Sequence, residues 1–250
     1  MSEERKSVLI ASLGMGPGVI TSAVDALRKE LGENFSLEKV VTLSTIGRDI
    51  AYKDPRSGEV IPEGFTNILI KEFEQNYRDG IEYIYICIDY SDMDYPKACD
   101  QFLATACQQI DKYHNDDYDV YVSLAGGRKS MAGILSVAAQ FYGAKMLFHV
   151  AITNERERQV IEEHGSDLNY ILRNRDRILH PSSAKLVKLP FLNLRALTRK
   201  ITADLRQYGN IDVNTRSTLE VLEIDIDDVV MSIRDLNRVQ ETLDKSYIME

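Results

Sequence analysis

Short runs of apolar residues alternate along the chain with longer stretches in which apolar positions recur at helical spacing. The short runs are rich in β-branched and aromatic residues and occupy residues 7–11, 40–45, 83–88, 118–123 and 146–152. Runs of this kind are typical of strands in the interior of a parallel sheet. Their alternation with helices predicts an α/β fold, a Rossmann-like and mostly parallel sheet with helices on both faces.

Later parts of the chain carry weaker strand signals and then a helical pattern. Residues 185–190 resemble a late strand, and residues 65–70 are expected to add a peripheral one. The stretch 215–247 has apolar residues at intervals of three and four, so it predicts an amphipathic helix that needs a partner surface. We therefore divide the chain into a domain of residues 1–191 and a C-terminal helical segment, 192–250, for dimerisation, for covering a site as a lid or for binding a partner.

The composition is that of a globular protein, and its net charge favours a small ligand in an enclosed pocket. The chain has 250 residues, of which 44% are hydrophobic, so it can bury a sizeable core. It contains no apolar run of about 18 residues, and its N-terminus lacks the apolar core of a signal peptide, so we expect a cytoplasmic protein without a membrane span. A net charge of −9 argues against a broad nucleic-acid-binding face but not against a local basic pocket for an anion.

Cysteine and histidine residues show no metal-binding spacing. The three cysteines, Cys87, Cys99 and Cys107, form no C-x-x-C pair, and we expect them to be reduced and buried. The four histidines are scattered along the chain. The sequence therefore predicts neither a metal nor a cofactor.

A glycine–basic motif, residues 123–131, follows the fourth apolar run and precedes a helical pattern. Its glycines, Gly126 and Gly127, are followed by Arg128 and Lys129, where a helix would present its free N–H groups. Such a turn is suited to an anion, because N–H groups and the helix dipole attract negative charge and glycines let a phosphate approach the backbone. The alternative is a tight strand–helix turn whose basic side chains point into water.

A second glycine turn, residues 12–18, follows the first strand. Its glycines, Gly14, Gly16 and Gly18, fall one position short of the dinucleotide fingerprint, which argues against a dehydrogenase. A Walker A loop is also excluded for the glycine–basic motif, because Arg128 stands where a glycine is required. In a parallel sheet, ligands bind beyond the carboxyl ends of the strands, so we expect the two turns to share one rim.

The two turns resemble those of a known family, the CRISPR-associated Rossmann-fold (CARF) domains. Residues 8–21 resemble the opening of these domains, and residues 123–131 are similar to their late glycine–basic motif. The order of residues 148–150 and 189–195 downstream also matches. The resemblance covers roughly residues 6–196.

The resemblance implies a homodimer that binds a cyclic oligoadenylate, with cyclic tetra-adenylate favoured, across its twofold axis. Some relatives only sense this messenger. Others, the ring nucleases, also cleave it without metal to linear products with 2′,3′-cyclic phosphate ends, which switches off type III CRISPR antiviral signalling. No long nucleic acid is expected as a partner.

In the cleaving relatives, a serine or threonine after the first strand and a lysine of the glycine–basic motif support the reaction. The matching residues here are Ser12 and Lys129, our candidate catalytic residues. The candidate ligand-binding residues surround them on the two turns and after the second strand: Leu13, Gly14, Met15, Arg48, Ala125, Gly126, Gly127, Arg128 and Ser130. Lys129 would neutralise charge on the phosphate, and Ser12 would orient the ribose 2′-hydroxyl or donate to a phosphate oxygen.

Other functions are also compatible with the sequence. A non-catalytic sensor would use its C-terminal helices to bind a partner. A messenger-activated ribonuclease would need a HEPN-type site, for which Arg175 and His180 have the required separation. An unrelated Rossmann-like enzyme is a further alternative. Residues 89–94 are acidic where relatives often carry a basic, asparagine-containing loop, which leaves the ring size open.

Overall fold

A six-stranded sheet forms the centre of the protein in a computed structural model, which describes residues 6–32, 35–46, 52–53, 60–61, 64–77, 80–208 and 211–212. The strands in chain order are β1 (Ser7–Ser12), β2 (Leu37–Thr45), β3 (Tyr52–Lys53), β4 (Val60–Ile61), β5 (Glu82–Ile88), β6 (Asp119–Ser123), β7 (Met146–Ile152) and β8 (Ala184–Leu189). The sheet order is β5-β2-β1-β6-β7-β8, and only β8 runs antiparallel to its neighbour, while β3 and β4 pair separately. The predicted α/β class and mostly parallel sheet are confirmed.

Helices cover both faces of the sheet. They are α1 (Gly18–Leu31), α2 (Phe65–Asn76), α3 (Pro96–Asn115), α4 (Lys129–Tyr142), α5 (Glu155–His164), α6 (Leu168–Arg173), α7 (Arg175–Leu179) and α8 (Arg195–Tyr208). Alternate residues of β1 face opposite sides: Val8 and Ile10 pack with α3 and α4, while Leu9 and Ala11 pack with α1 and α2. This two-sided burial explains why the strands are apolar throughout.

Residues 65–70 belong to a helix, so the peripheral strand predicted there is wrong. The helix α2 buries Phe65, Ile68, Leu69 and Phe73, which lie on one helical face. The window that suggested a strand ended before Phe73 and was too short to show the helical repeat. Within the described chain, no helix combines the length and the apolar character needed to cross a bilayer.

The late strand is confirmed as β8, and a helix follows it. Helix α8 is tied to the domain where the Leu194 N–H donates to the Gln140 carbonyl at 2.8 Å, and Ile201 is fully buried. The amphipathic helix predicted at 215–247 lies outside the described residues. The division into residues 1–191 and 192–250 stays a prediction.

A network of charged side chains fastens α7 to α1 and α2. The His180 ring nitrogens lie 2.7 Å from Asp25 Oδ2 and 3.0 Å from Glu72 Oε1. Arg175 Nη2 donates to Glu72 Oε2 at 2.9 Å, and the Tyr77 hydroxyl donates to Asp25 Oδ1 at 2.8 Å. Glu72 is fully buried, so its charge depends on these partners and on the Asn76 side-chain amide, which also donates to it. Arg175 and His180, considered above for a ribonuclease site, are therefore engaged in packing.

This network predicts a loss of stability at alkaline pH. Hydrogen bonds to Asp25 and Glu72 raise the pKa of His180 to about 9 against the opposing effect of burial. Arg175 and Tyr77 also donate to these carboxylates, and the Arg28 guanidinium lies over the Tyr77 ring. Because the folded-state pKa lies above the unfolded value, the protonated ring stabilises the fold fully below about pH 6.5, and this contribution falls as the pH rises through 9. We expect the free energy of unfolding to drop by about 3 kcal/mol over that range.

The measurement is chemical denaturation of the wild type and of His180→Gln between pH 6 and pH 10. The variant should be less stable at pH 6, and its profile should be flatter across the same range. A wild-type profile as flat as that of the variant would show that the protonated histidine contributes nothing.

Candidate functional site

The two glycine turns meet at the carboxyl edge of the sheet. They follow β1 and β6, which are neighbouring parallel strands, so their ends lie side by side. Ser12 Oγ donates a hydrogen bond to the Gly126 carbonyl at 2.6 Å, and Ser12 is fully buried. The backbone of Gly14 also packs against Gly127. The sequence expectation that the turns share one rim agrees with this geometry.

The close approach of the turns requires glycine at the β6–α4 turn. A Cβ atom on Gly126 would lie 2.1 Å from the Ser12 carbonyl oxygen, which is far inside van der Waals contact. Gly127 has φ of 78°, a conformation that residues with a side chain rarely adopt. The paired glycines therefore bring the β1 and β6 turns into backbone contact.

The first turn of α4 presents the basic residues. Arg128 precedes the helix with an extended backbone, Lys129 is its first residue, and Ser130 follows; all three are exposed. The Arg128 N–H points to Met131 Sδ at 3.3 Å. Positive partial charge at a helix N-terminus adds to that of the two side chains, so an anion would be stabilised at this point.

An acidic loop between β5 and α3 reaches the glycine–basic turn. The Ile46 N–H, at the end of β2, donates to the Tyr90 carbonyl at 3.0 Å and holds the loop along the rim. Further along, the Asp92 carboxylate forms an ion pair with the Arg128 guanidinium. The acidic character of residues 89–94 was evident from the sequence, but its pairing with Arg128 was not, because 36 residues separate the two.

An apolar cleft of about 280 Å³ lies beside the turns. It is open to solvent and close to the lower end of the range for ligand pockets. Its walls come from both turns, from the end of β7 and from the α5–α7 segment, and include Met15, Val19, Ala125, Val150, Ile161 and Ile178. The α5–α7 wall was not predicted from the sequence, although apolar residues at helical spacing in that segment could have indicated it.

The remaining candidate residues differ in whether they reach the cleft. Met15 is 45% exposed at the cleft, and Ala125 lines it. Leu13 is buried in the core, where its N–H donates to the Leu43 carbonyl at 2.8 Å, so its side chain does not reach the rim. Arg48 lies outside the described residues.

The described residues contain no metal-binding cluster, and the three cysteines differ in burial. Among the residues that the structure describes, no group of three or more histidine, cysteine or acidic residues could hold a metal ion. Cys107 is buried, and its burial raises the pKa of the thiol, whereas Cys87 and Cys99 are half-buried.

A known protein family matches most of the chain. The family model described as CRISPR-associated protein NE0113 matches residues 16–222 of the chain. The chain belongs to this CRISPR-associated family. The match spans both the glycine–basic motif and the α5–α7 wall of the cleft, and it confirms the resemblance to CRISPR-associated Rossmann-fold proteins.

Solved structures with similar folds include two proteins with bound cyclic oligoadenylates. Enterococcus italicus Csm6 bound to cyclic hexa-2′-fluoro-hexa-dAMP is 12% identical, with a TM-score of 0.49 over 82% of this chain and 47% of that chain. Can2 from Sulfobacillus thermosulfidooxidans, in complex with cyclic tetra-adenylate, is 12% identical, with a TM-score of 0.36 over 58% of this chain and 32% of that chain.

A third similar structure comes from a different kind of protein. Glycinamide ribonucleotide transformylase 1 from Symbiobacterium toebii is 13% identical, with a TM-score of 0.31 over 65% of this chain and 62% of that chain. The chain thus spans about half the length of Csm6 and a third of Can2. No curated protein matches the chain.

Proposed function

We propose that this member of the NE0113 family is a ring nuclease. It binds a cyclic oligoadenylate, with cyclic tetra-adenylate favoured, and cleaves it without metal to linear products with 2′,3′-cyclic phosphate ends, ending a type III CRISPR signal. The observation that carries this proposal is the contact between the two glycine turns: both line an apolar cleft, and the second leads into the helix whose first residue is the exposed Lys129.

The chemistry requires alignment and charge neutralisation more than a strong nucleophile. A ribose 2′-hydroxyl already lies next to its own 3′-phosphate, so the protein has to hold the two groups in line. Lys129 stabilises the charge that grows on the phosphate oxygens, together with N–H groups of the glycine turn. The cleft receives an adenine base, whose flat faces are matched by Met15 and the aliphatic side chains around it.

Ser12 acts through the glycine turn in this proposal. A direct role on the 2′-hydroxyl was expected from the sequence, but the buried Ser12 hydroxyl donates its proton to the Gly126 carbonyl. That bond fixes the turn whose N–H groups meet the phosphate. Ser12 is therefore a positioning residue.

A homodimer completes the proposed site. A ring of four adenylates has twofold symmetry, so two copies of the chain related by a twofold axis can present the same rim to opposite halves of one ring. Each copy then supplies one Lys129.

The test of this function is incubation of the purified protein with cyclic tetra-adenylate in EDTA, followed by chromatography of the products. Linear oligoadenylates with 2′,3′-cyclic phosphate ends are the expected result. The burial of the Ser12 hydroxyl favours a second candidate, a non-catalytic sensor, for which the ring would bind tightly and stay intact. Degradation of a generic RNA only when the ring is present would indicate a messenger-activated ribonuclease.

Replacing Ser12 with alanine is expected to slow single-turnover cleavage by about 10- to 100-fold at saturating ring. The rate falls because the Gly126 carbonyl loses its hydrogen bond from Ser12, so the glycine turn is no longer held in place. The matched control is Thr105→Val, which removes another buried hydroxyl-to-carbonyl bond, 2.8 Å to Gln101, within α3. Both variants should lose about 1 kcal/mol of stability, but only Ser12→Ala should lose rate. Equal rates in the two variants would remove Ser12 from the mechanism.

A further inference from the structure

The loop between β5 and α3 is anchored at several points along the rim. Tyr90 accepts the hydrogen bond from Ile46 described above, and the Met93 side chain is buried in the core. The Asp92 Oδ1 atom accepts a hydrogen bond from the Met93 N–H at 2.7 Å. The Asp92 carboxylate is thus held by its own loop at the point where it meets Arg128.

Arg128 is the more exposed member of this pair. Its side chain is 59% exposed, against 25% for Asp92. A long arginine side chain on the surface can exchange one partner for another, whereas the carboxylate is fixed by the loop. An anion that approaches the start of α4 therefore meets an arginine that already has a negatively charged partner.

We propose that Asp92 is an internal substitute for the ligand's phosphate and sets the affinity of the glycine–basic turn for anions. A guanidinium recognises carboxylate and phosphate through the same arrangement of N–H donors. A phosphate that binds Arg128 has to replace Asp92, and it is repelled by the carboxylate that it displaces. Asp92 thus lowers the affinity of the turn for every phosphate-bearing ligand.

This inference rests on the proposed function only for the identity of the ligand. The exchange at Arg128 is the same for a ring phosphate and for any small phosphate compound that reaches the turn. Inorganic pyrophosphate is therefore a probe of the exchange that does not depend on the ring.

Asp89 provides a matched control in the same loop. Its carboxylate accepts a hydrogen bond from Gln101 Nε2 at 2.7 Å, and its N–H donates to Gln101 Oε1 at 3.2 Å, so it is tied to α3. Asp89→Asn and Asp92→Asn remove the same charge from the same loop. Only the second removes the partner of Arg128.

The experiment measures dissociation constants for pyrophosphate and, separately, for cyclic tetra-adenylate, in the wild type and in both variants. The amide resonances of Gly126 and Gly127 report binding at the turn. Asp92→Asn should bind pyrophosphate about three- to fivefold more tightly than the wild type, the range expected for an exposed ion pair. Asp89→Asn should show less than half of that gain, and adding Arg128→Ala to Asp92→Asn should abolish it.

The outcomes separate the two proposals. Equal affinities for pyrophosphate in Asp92→Asn and Asp89→Asn, or weaker binding by Asp92→Asn, would overturn the role of Asp92. If no cyclic oligoadenylate binds the wild type while the pyrophosphate gain persists, the role of Asp92 holds and the proposed function fails. If the ring binds and is cleaved without any gain in Asp92→Asn, the inference about Asp92 fails alone.

Discussion

Replacing Lys129 with alanine is expected to reduce the rate of ring cleavage by about two orders of magnitude while the fold stays intact. Lys129 is the exposed first residue of α4, so its loss opens no cavity and removes no buried partner. In the proposed reaction its charge meets a phosphate whose negative charge grows in the transition state, and removing one such contact costs about 3 kcal/mol. Binding should weaken far less, because the N–H groups of the turn and the cleft remain.

Single-turnover cleavage and equilibrium binding of cyclic tetra-adenylate, measured on the same preparation, test this expectation. Lys112→Ala is the matched control, since it removes an exposed lysine near the end of α3, at the opposite edge of the sheet. Lys129→Arg keeps the charge and should retain part of the rate. A wild-type rate in Lys129→Ala would exclude this lysine from the chemistry, and loss of binding alone would make it a ligand-binding residue.

Replacing Gly126 with alanine is expected to lower stability by about 3 kcal/mol, or roughly 10 °C in melting temperature. The new Cβ atom would lie 2.1 Å from the Ser12 carbonyl oxygen and 2.9 Å from Val19 Cγ2. The Val19 side chain can move, but the Ser12 carbonyl belongs to a strand end that cannot. The two turns must separate, so ring binding should be lost as well.

The same substitution at Gly133 is the control. Gly133 is exposed within α4, and a Cβ atom placed there meets nothing within 4 Å. Alanine is the better helix former, so Gly133→Ala should stabilise the protein by about 0.5–1 kcal/mol. Thermal unfolding of the two variants shows whether the effect of Gly126→Ala comes from the close packing at the turn or from any alanine placed in this region. An unchanged melting temperature in Gly126→Ala would mean that the turns do not touch.

The class of fold could be predicted from the sequence because the strands are buried on both sides. Val8, Leu9, Ile10 and Ala11 each face one of two cores, and this leaves a continuous apolar run that few other structures explain. The strand predicted at residues 65–70 was wrong because this segment is buried on one face only. A helix packed on one face shows its repeat only over several turns, and Phe73 completes that repeat beyond the window.

The candidate site was predictable only where it depends on the backbone. Glycines followed by basic residues at a strand–helix junction have few structural uses, so Gly126, Gly127 and Lys129 could be singled out. The partner of the Ser12 hydroxyl and the pairing of Asp92 with Arg128 depend on which loops the fold brings together. Side-chain contacts over 114 and 36 positions of sequence leave no local pattern.

The reversed direction of β8 determines where the rest of the chain begins. Because β8 runs against β7, the chain leaves the sheet beside Leu147, at the margin remote from the glycine turns. Leu194 is then bonded to Gln140 near the far end of α4, a helix of 14 residues and about 21 Å that starts with Lys129. Helix α4 thus begins at Lys129 and holds the residue that precedes α8 near its other end, so a tilt of this helix would move both.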